Sequence, residues 1–129
     1  MTAVSIEIAG QTFTIRRVVT GVRQLYAALV REQVEFLQRL DAYQKALKAG
    51  ADEAAADGED LARDVDAFYG RKLETFLRIL ELLLTRNGYE WDRRWWEDNA
   101  GEEDYRAFVL ASINGEAPAG SKKKDAGGS

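Results

Sequence analysis

The sequence predicts a mainly α-helical fold: an N-terminal β-hairpin, two long antiparallel helices, two short C-terminal helices and a disordered tail. Three observations carry this. Apolar and polar residues alternate only between Val4 and Val18, on either side of a glycine turn. From Val22 to Leu84 apolar residues recur at three- and four-residue spacing over two long stretches. From Glu116 onward large apolar residues stop altogether. Residues 1–115 therefore read as one helical domain and 116–129 as its tail.

In the hairpin, Val4, Ile6 and Ile8 alternate with Ser5 and Glu7. After Ala9-Gly10-Gln11, the run Thr12-Phe13-Thr14-Ile15 alternates again. A lone two-stranded hairpin is marginal in water, so its apolar face is expected to rest on the helices that follow.

Thr20 is the expected N-cap of the first helix. Val22, Leu25, Tyr26, Leu29, Val30, Phe36, Leu37, Leu40, Tyr43 and Leu47 supply its apolar positions. Glu35 and Arg39 stand at the spacing of an i,i+4 ion pair. Gly50 is the natural stop. At about 1.5 Å per residue this helix is roughly 45 Å long. A compact domain of this size needs less, so its second half is expected to project or to pair with a neighbour.

Ala51 to Asp60 is small and acidic and reads most simply as a solvated connection, though its alanines could extend either helix. The second helix is expected from about Glu59 to Arg86, with its first acids suited to the helix dipole. Leu61, Val65, Phe68, Tyr69, Leu73, Phe76, Leu77 and Leu80 make one stripe. Ile79, Leu82, Leu83 and Leu84 broaden it until the helix is apolar nearly all round, the mark of an end buried on several sides. Gly70 costs up to roughly 1 kcal/mol against Ala unless close packing needs it. Asn87-Gly88 ends the helix.

Asn87 to Ile113 holds all three tryptophans of the chain. Tyr89-Glu90-Trp91 is expected to be extended or turn-like. Asp92 is the expected cap of a short helix, Arg93 to Asn99. Ala100-Gly101 breaks it, and Glu102, Glu103 and Asp104 open a last helix whose apolar side is Tyr105, Phe108, Val109, Ala111 or Ser112, and Ile113, ended by Asn114-Gly115. Trp95 and Trp96 are neighbours in sequence, so they point about 100° apart on a helix and cannot share one line of its surface. At least two of Trp91, Trp95 and Trp96 are expected to pack on the apolar end of the second helix as a lid. The outer edge of that lid, with Arg93 and Arg94 beside it, is the expected docking surface. Glu116 to Ser129 cannot bury enough surface to offset its ordering entropy and is expected to be disordered.

Composition narrows the function. The chain has no His and no Cys. That removes the commonest general base and the commonest transition-metal ligand, along with thiol and disulfide chemistry. No phosphate-binding glycine loop is present. Glu90, Asp92, Glu97, Asp98 and Glu102 to Asp104 lie near tryptophans, as acids do in sugar clefts. However, acids at helix starts are expected on electrostatic grounds, and no positioned base or nucleophile accompanies them. No catalytic, cofactor or metal-binding residue is assigned, and the protein is expected not to be an enzyme. The net charge of −4 gives no support for binding nucleic acid or an anionic membrane. Lys122-Lys123-Lys124 reads as solvated charge. No apolar run approaches the roughly 18 residues of a membrane span. Met1 to Gly10 lacks the basic-then-apolar order of a secretory signal, so a cytoplasmic protein is expected.

With these residues in view, the chain resembles the tail assembly chaperones of long-tailed bacteriophages and prophages. Three segments carry the likeness. SIEIAGQTFTIRRVVTGVRQLYAAL is similar to the short hairpin, basic residue and helix that open small phage tail proteins. The long helical middle ends in LRILELLLTRNGYEW. WDRRWWEDNAGEEDYRAFVLASI is similar to the family's acidic, tryptophan-bearing close. The likeness spans most of residues 4–113 as element order and local flavour, without an invariant motif. It implies a non-enzymatic protein that binds the tape measure protein in the host cytoplasm, keeps it soluble and helps recruit tail tube subunits. Homo-oligomer formation is left open. The partner-binding residues expected on this reading are Trp91, Arg94, Trp95, Trp96 and Tyr105. Members of the family are often made in two forms through a ribosomal frameshift, and Lys122 to Lys124 can be encoded by an A-rich, slippery run. A small structural tail or connector protein of the virion is the alternative.

Overall fold

The computed structural model describes residues 3–50 and 54–116, the side chains of 54–57 excepted. Its elements are β1 (Val4–Ile8), β2 (Gln11–Ile15), α1 (Thr20–Lys48), α2 (Ala54–Thr85), α3 (Arg93–Asn99) and α4 (Glu102–Asn114). The predicted fold class, mainly helical with an N-terminal hairpin, is the one observed. The expected disordered tail lies, beyond Glu116, outside the described residues.

β1 and β2 pair antiparallel, with Val4 opposite Ile15 and Ile6 opposite Phe13. The turn is Ala9 and Gly10 alone, at φ +50° and +81°. Two positive φ values in a two-residue turn match the twist of the flanking strands, and glycine adopts one of them without strain. Gln11 therefore belongs to β2 and not to the turn. Val4, Ile6, Ile8, Phe13 and Ile15 are buried. On the other face the Ser5 and Thr14 hydroxyls meet at 3.1 Å.

α1 and α2 are antiparallel neighbours. Arg39 meets Asp64 at 2.9 Å, the Phe36 and Phe68 rings lie 4.8 Å apart, and Glu32 pairs with Arg71. Each step back along α1 matches a step forward along α2. Two boundaries differ from expectation. Val19, not Thr20, occupies the N-cap, and it makes no side-chain cap. Val18 and Val19 pack against the core, and that burial sets where the chain turns into the helix. α2 starts at Ala54, ahead of the expected Glu59. Its first residues are alanines, strong helix formers, so Glu59 and Asp60 lie in its second turn and not at its start. Arg39 bonds to Asp64 instead of the expected Glu35, with its guanidinium 5.2 Å from the Phe36 ring centre.

The stops fall as predicted. Gly50, Gly88 and Gly115 take φ +74°, +89° and +70°. Asp92 caps α3 by accepting the Trp95 amide at 3.1 Å. At the start of α4 the Gly101 amide donates to Asp104 at 2.9 Å. Ile79, Leu80, Leu83 and Leu84 are all but fully buried. They form one cluster with the hairpin face, the start of α1, Trp96 and the inner side of α4. Beyond this cluster α1 and α2 continue together as a two-helix arm.

Candidate functional site

The aromatic close of the chain is built around Phe13. The rings of Tyr89, Trp95, Trp96 and Phe108 surround it at centroid distances between 5.3 and 5.9 Å. Trp96 also packs edge-on to Phe108 at 5.3 Å, and only 2% of it is exposed. Tyr105 is buried, and its hydroxyl donates to the Trp96 carbonyl at 3.2 Å. Burial, followed by the Glu97 charge, pushes its phenol above the ordinary tyrosine value.

Five residues were expected at the docking edge, and they divide. Trp96 and Tyr105 lie in the core. Trp91 and Trp95 are half-buried against the same core. Arg94 is exposed, 3.8 Å from Asp98. The tryptophans pack on the core cluster that holds Ile79, Leu80, Leu83 and Leu84, and their ring-to-ring partners outside the lid are Phe13 of β2 with Tyr105 and Phe108 of α4. Arg93 pins α3 to α2: its guanidinium holds both oxygens of Glu74 and reaches Glu97 at 3.2 Å. Hydrogen bonding to Arg93 lowers the Glu74 carboxyl below its usual range, and Glu74 in turn raises the Arg93 guanidinium. Both are solvated, so the pin orients more than it stabilises.

Five of the seven carboxylates near the tryptophans have structural partners. Asp92 and Asp104 cap helices, Glu97 and Asp98 pair with Arg93 and Arg94, and Glu102 pairs with Lys72 at 2.6 Å. Among the described residues no three His, Cys, Asp or Glu side chains gather as a metal site. No helix among them is long and apolar enough to cross a membrane.

The exposed apolar surface lies elsewhere. All the large hydrophobic residues exposed among the described ones belong to the arm: Val30, Val34, Leu37, Leu40 and Leu47 of α1, Tyr69 and Leu73 of α2. The two sides of the arm differ. Along one side, Glu32–Arg71 and Arg39–Asp64 tie the helices together. On the other, Leu37 and Leu40 face Val65 and Tyr69 across a shallow groove floored by Phe36 and Phe68. The groove continues past Tyr26 and Val30 to Arg106 of α4. Helical geometry accounts for the division. Val22, Leu29, Phe36 and Tyr43 form a line at seven-residue spacing towards α2. Val30, Gln33, Leu37, Leu40, Gln44 and Leu47 form a second line beside it, with alternating three- and four-residue steps. One neighbouring helix covers the first line and leaves the second open. The signal was in the sequence: an apolar arc too wide for a single partner.

No protein-family model, curated protein or solved structure matches this chain.

Proposed function

We propose that the protein is a non-enzymatic phage tail assembly chaperone that binds the tape measure protein and assists tail tube polymerisation. The observation that carries this reading is the uncovered apolar side of the α1–α2 arm. Apolar area of this kind on a rigid two-helix surface suits an amphipathic helix laid into the groove, its anchors meeting Leu37, Leu40, Tyr69 and Leu73. A tape measure protein is a very long helical chain, and covering its apolar stripes before assembly keeps it soluble. The half-buried Trp91 and Trp95, with Arg94, offer a second, smaller contact at the outer edge of the lid.

Coexpression tests this. A tape measure protein encoded just downstream is expected to be soluble and to copurify with the wild-type chain. With Leu37→Glu, a charge in the middle of the groove, it is expected to precipitate. Solubility unaffected by the presence of the chain would overturn the reading. Recovery of the chain in purified mature virions would favour a structural tail or connector protein instead.

A further inference from the structure

We infer that, before any partner arrives, the apolar side of the arm is covered by a second copy of this chain, packed antiparallel about Leu37. The occupant follows by elimination and by charge. The chain's own tail, 117–129, has no large apolar residue to lay in the groove. The exposed hydrophobics of the arm are between 39% and 56% accessible. Together they present on the order of 600 Å² per copy. A symmetric pair therefore removes on the order of 1,200 Å², the lower edge of specific interfaces.

Charge also bears on the orientation of a two-fold pairing. Lys72, the one charged residue on the walls of the central groove, is already matched by Glu102 at 2.6 Å. Arg106 stands at the inner end of the groove, level with Val30, and makes no salt bridge among the described residues. Val30 lies one heptad before Leu37, and Gln44 one heptad after it. Arg39 meets Asp64, and steps forward along α1 run back along α2, so Gln44 is level with Glu59. Glu59, Asp66, Tyr69 and Leu73 share one line of α2, spaced three, four and seven residues apart. Antiparallel pairing about Leu37 thus sets Arg106 of each copy against Glu59 of the other, two attractions against the single approach of Asp66, level with Leu37, to its own copy. Parallel pairing would bring Arg106 against Arg106. The four arm helices then form one layer-on-layer bundle, and a helical partner gains access by displacing the second copy. That last step rests on the chaperone reading; the self-pairing does not.

The test is sedimentation velocity of the full chain alone, from about 1 to about 200 µM. Wild type is expected to pass from monomer to dimer with a dissociation constant on the order of 10 µM. Leu37→Glu is expected to stay monomeric with an unchanged helical circular dichroism spectrum, since Leu37 is 56% exposed in the single chain. Arg106→Glu is expected to weaken the dimer about tenfold, and adding Glu59→Arg to restore it. A wild-type chain monomeric throughout, or a dimer indifferent to Leu37→Glu, overturns the pairing. A dimer weakened by Arg106→Glu but not regained by the double swap overturns the antiparallel orientation. Tape measure binding by a strictly monomeric chain would remove the dimer and leave the proposed function standing.

Discussion

Asn87 binds both backbone groups of Arg17. Its Oδ1 accepts the Arg17 amide at 3.0 Å, and its Nδ2 donates to the Arg17 carbonyl at 2.9 Å. The same Oδ1 accepts the Arg16 amide at 2.8 Å, and Nδ2 also reaches the Leu83 carbonyl. One side chain thus replaces a strand partner for the segment leaving β2 and ties it to the end of α2. Two residues on, the Tyr89 hydroxyl accepts the Thr14 amide at 2.7 Å. Asn87→Ala leaves these groups to water or to nothing, and is expected to destabilise the fold by about 1–3 kcal/mol. Urea unfolding at neutral pH measures it. A loss under about 0.5 kcal/mol would mean that the latch is replaced by solvent at no cost.

The three tryptophans are expected to separate by burial. Trp96→Ala opens a cavity between Phe13, Tyr105 and Phe108 and should cost about 3–5 kcal/mol. Trp91→Ala and Trp95→Ala, at half-buried positions, should cost about 1–2 kcal/mol each. Denaturant midpoints of the three variants check the order. Equal losses would contradict the burial of Trp96 alone.

Tyr105 gives the stability a pH dependence on the alkaline side. Its phenol lies above the ordinary value of 10.0 in the folded chain. The folded state therefore holds this proton more tightly than the unfolded state. The stabilisation is complete below about pH 10 and is lost as pH rises through the higher folded value. Tyr105→Phe is expected to lose about 0.5–1.5 kcal/mol at pH 7, with the hydrogen bond to Trp96, and to flatten the decline above about pH 10. Unfolding curves of both proteins across that range decide it, and parallel declines would refute the assignment to Tyr105.

Gly70 sits inside α2 with nothing within 4 Å of where a Cβ would stand. The close packing that would justify a helical glycine is absent in the single chain. Gly70→Ala is expected to stabilise the chain by about 0.5–1 kcal/mol. The comparison belongs in the Leu37→Glu background, so that self-association does not contribute. A destabilised variant would refute it.

Much of the architecture was legible because it depends on neighbours in sequence. Alternation between Val4 and Val18 around Ala9-Gly10-Gln11 gave the hairpin, which the structure trims to a two-residue turn and an end at Ile15. The spacing of Leu61, Val65, Phe68 and Leu80 gave α2, and Asp92, Gly50, Gly88 and Gly115 marked where helices start and stop. The errors came where two local preferences competed. Thr20 is a good cap, but burial of Val18 and Val19 outweighed it. The small and acidic residues from Ala51 to Asp60 suggested a connection, but Ala54, Ala55 and Ala56 are strong helix formers and α2 begins with them.

By itself the sequence determined the elements, their order and which face of each is apolar. Periodicity records that some neighbour must cover a face, but not which one. Only the tertiary structure decided that Phe13 gathers Trp95, Trp96 and Phe108, since those contacts join residues far apart in the chain. It also decided that Trp96 and Tyr105 are core, with Trp91 and Trp95 left half-exposed at the edge. The arm shows the same limit. Leu29 and Leu37 are equally apolar in sequence, yet α2 shields the first while the second stays open. A helix packs along one line at a time, and the line left uncovered is where this protein has surface to offer.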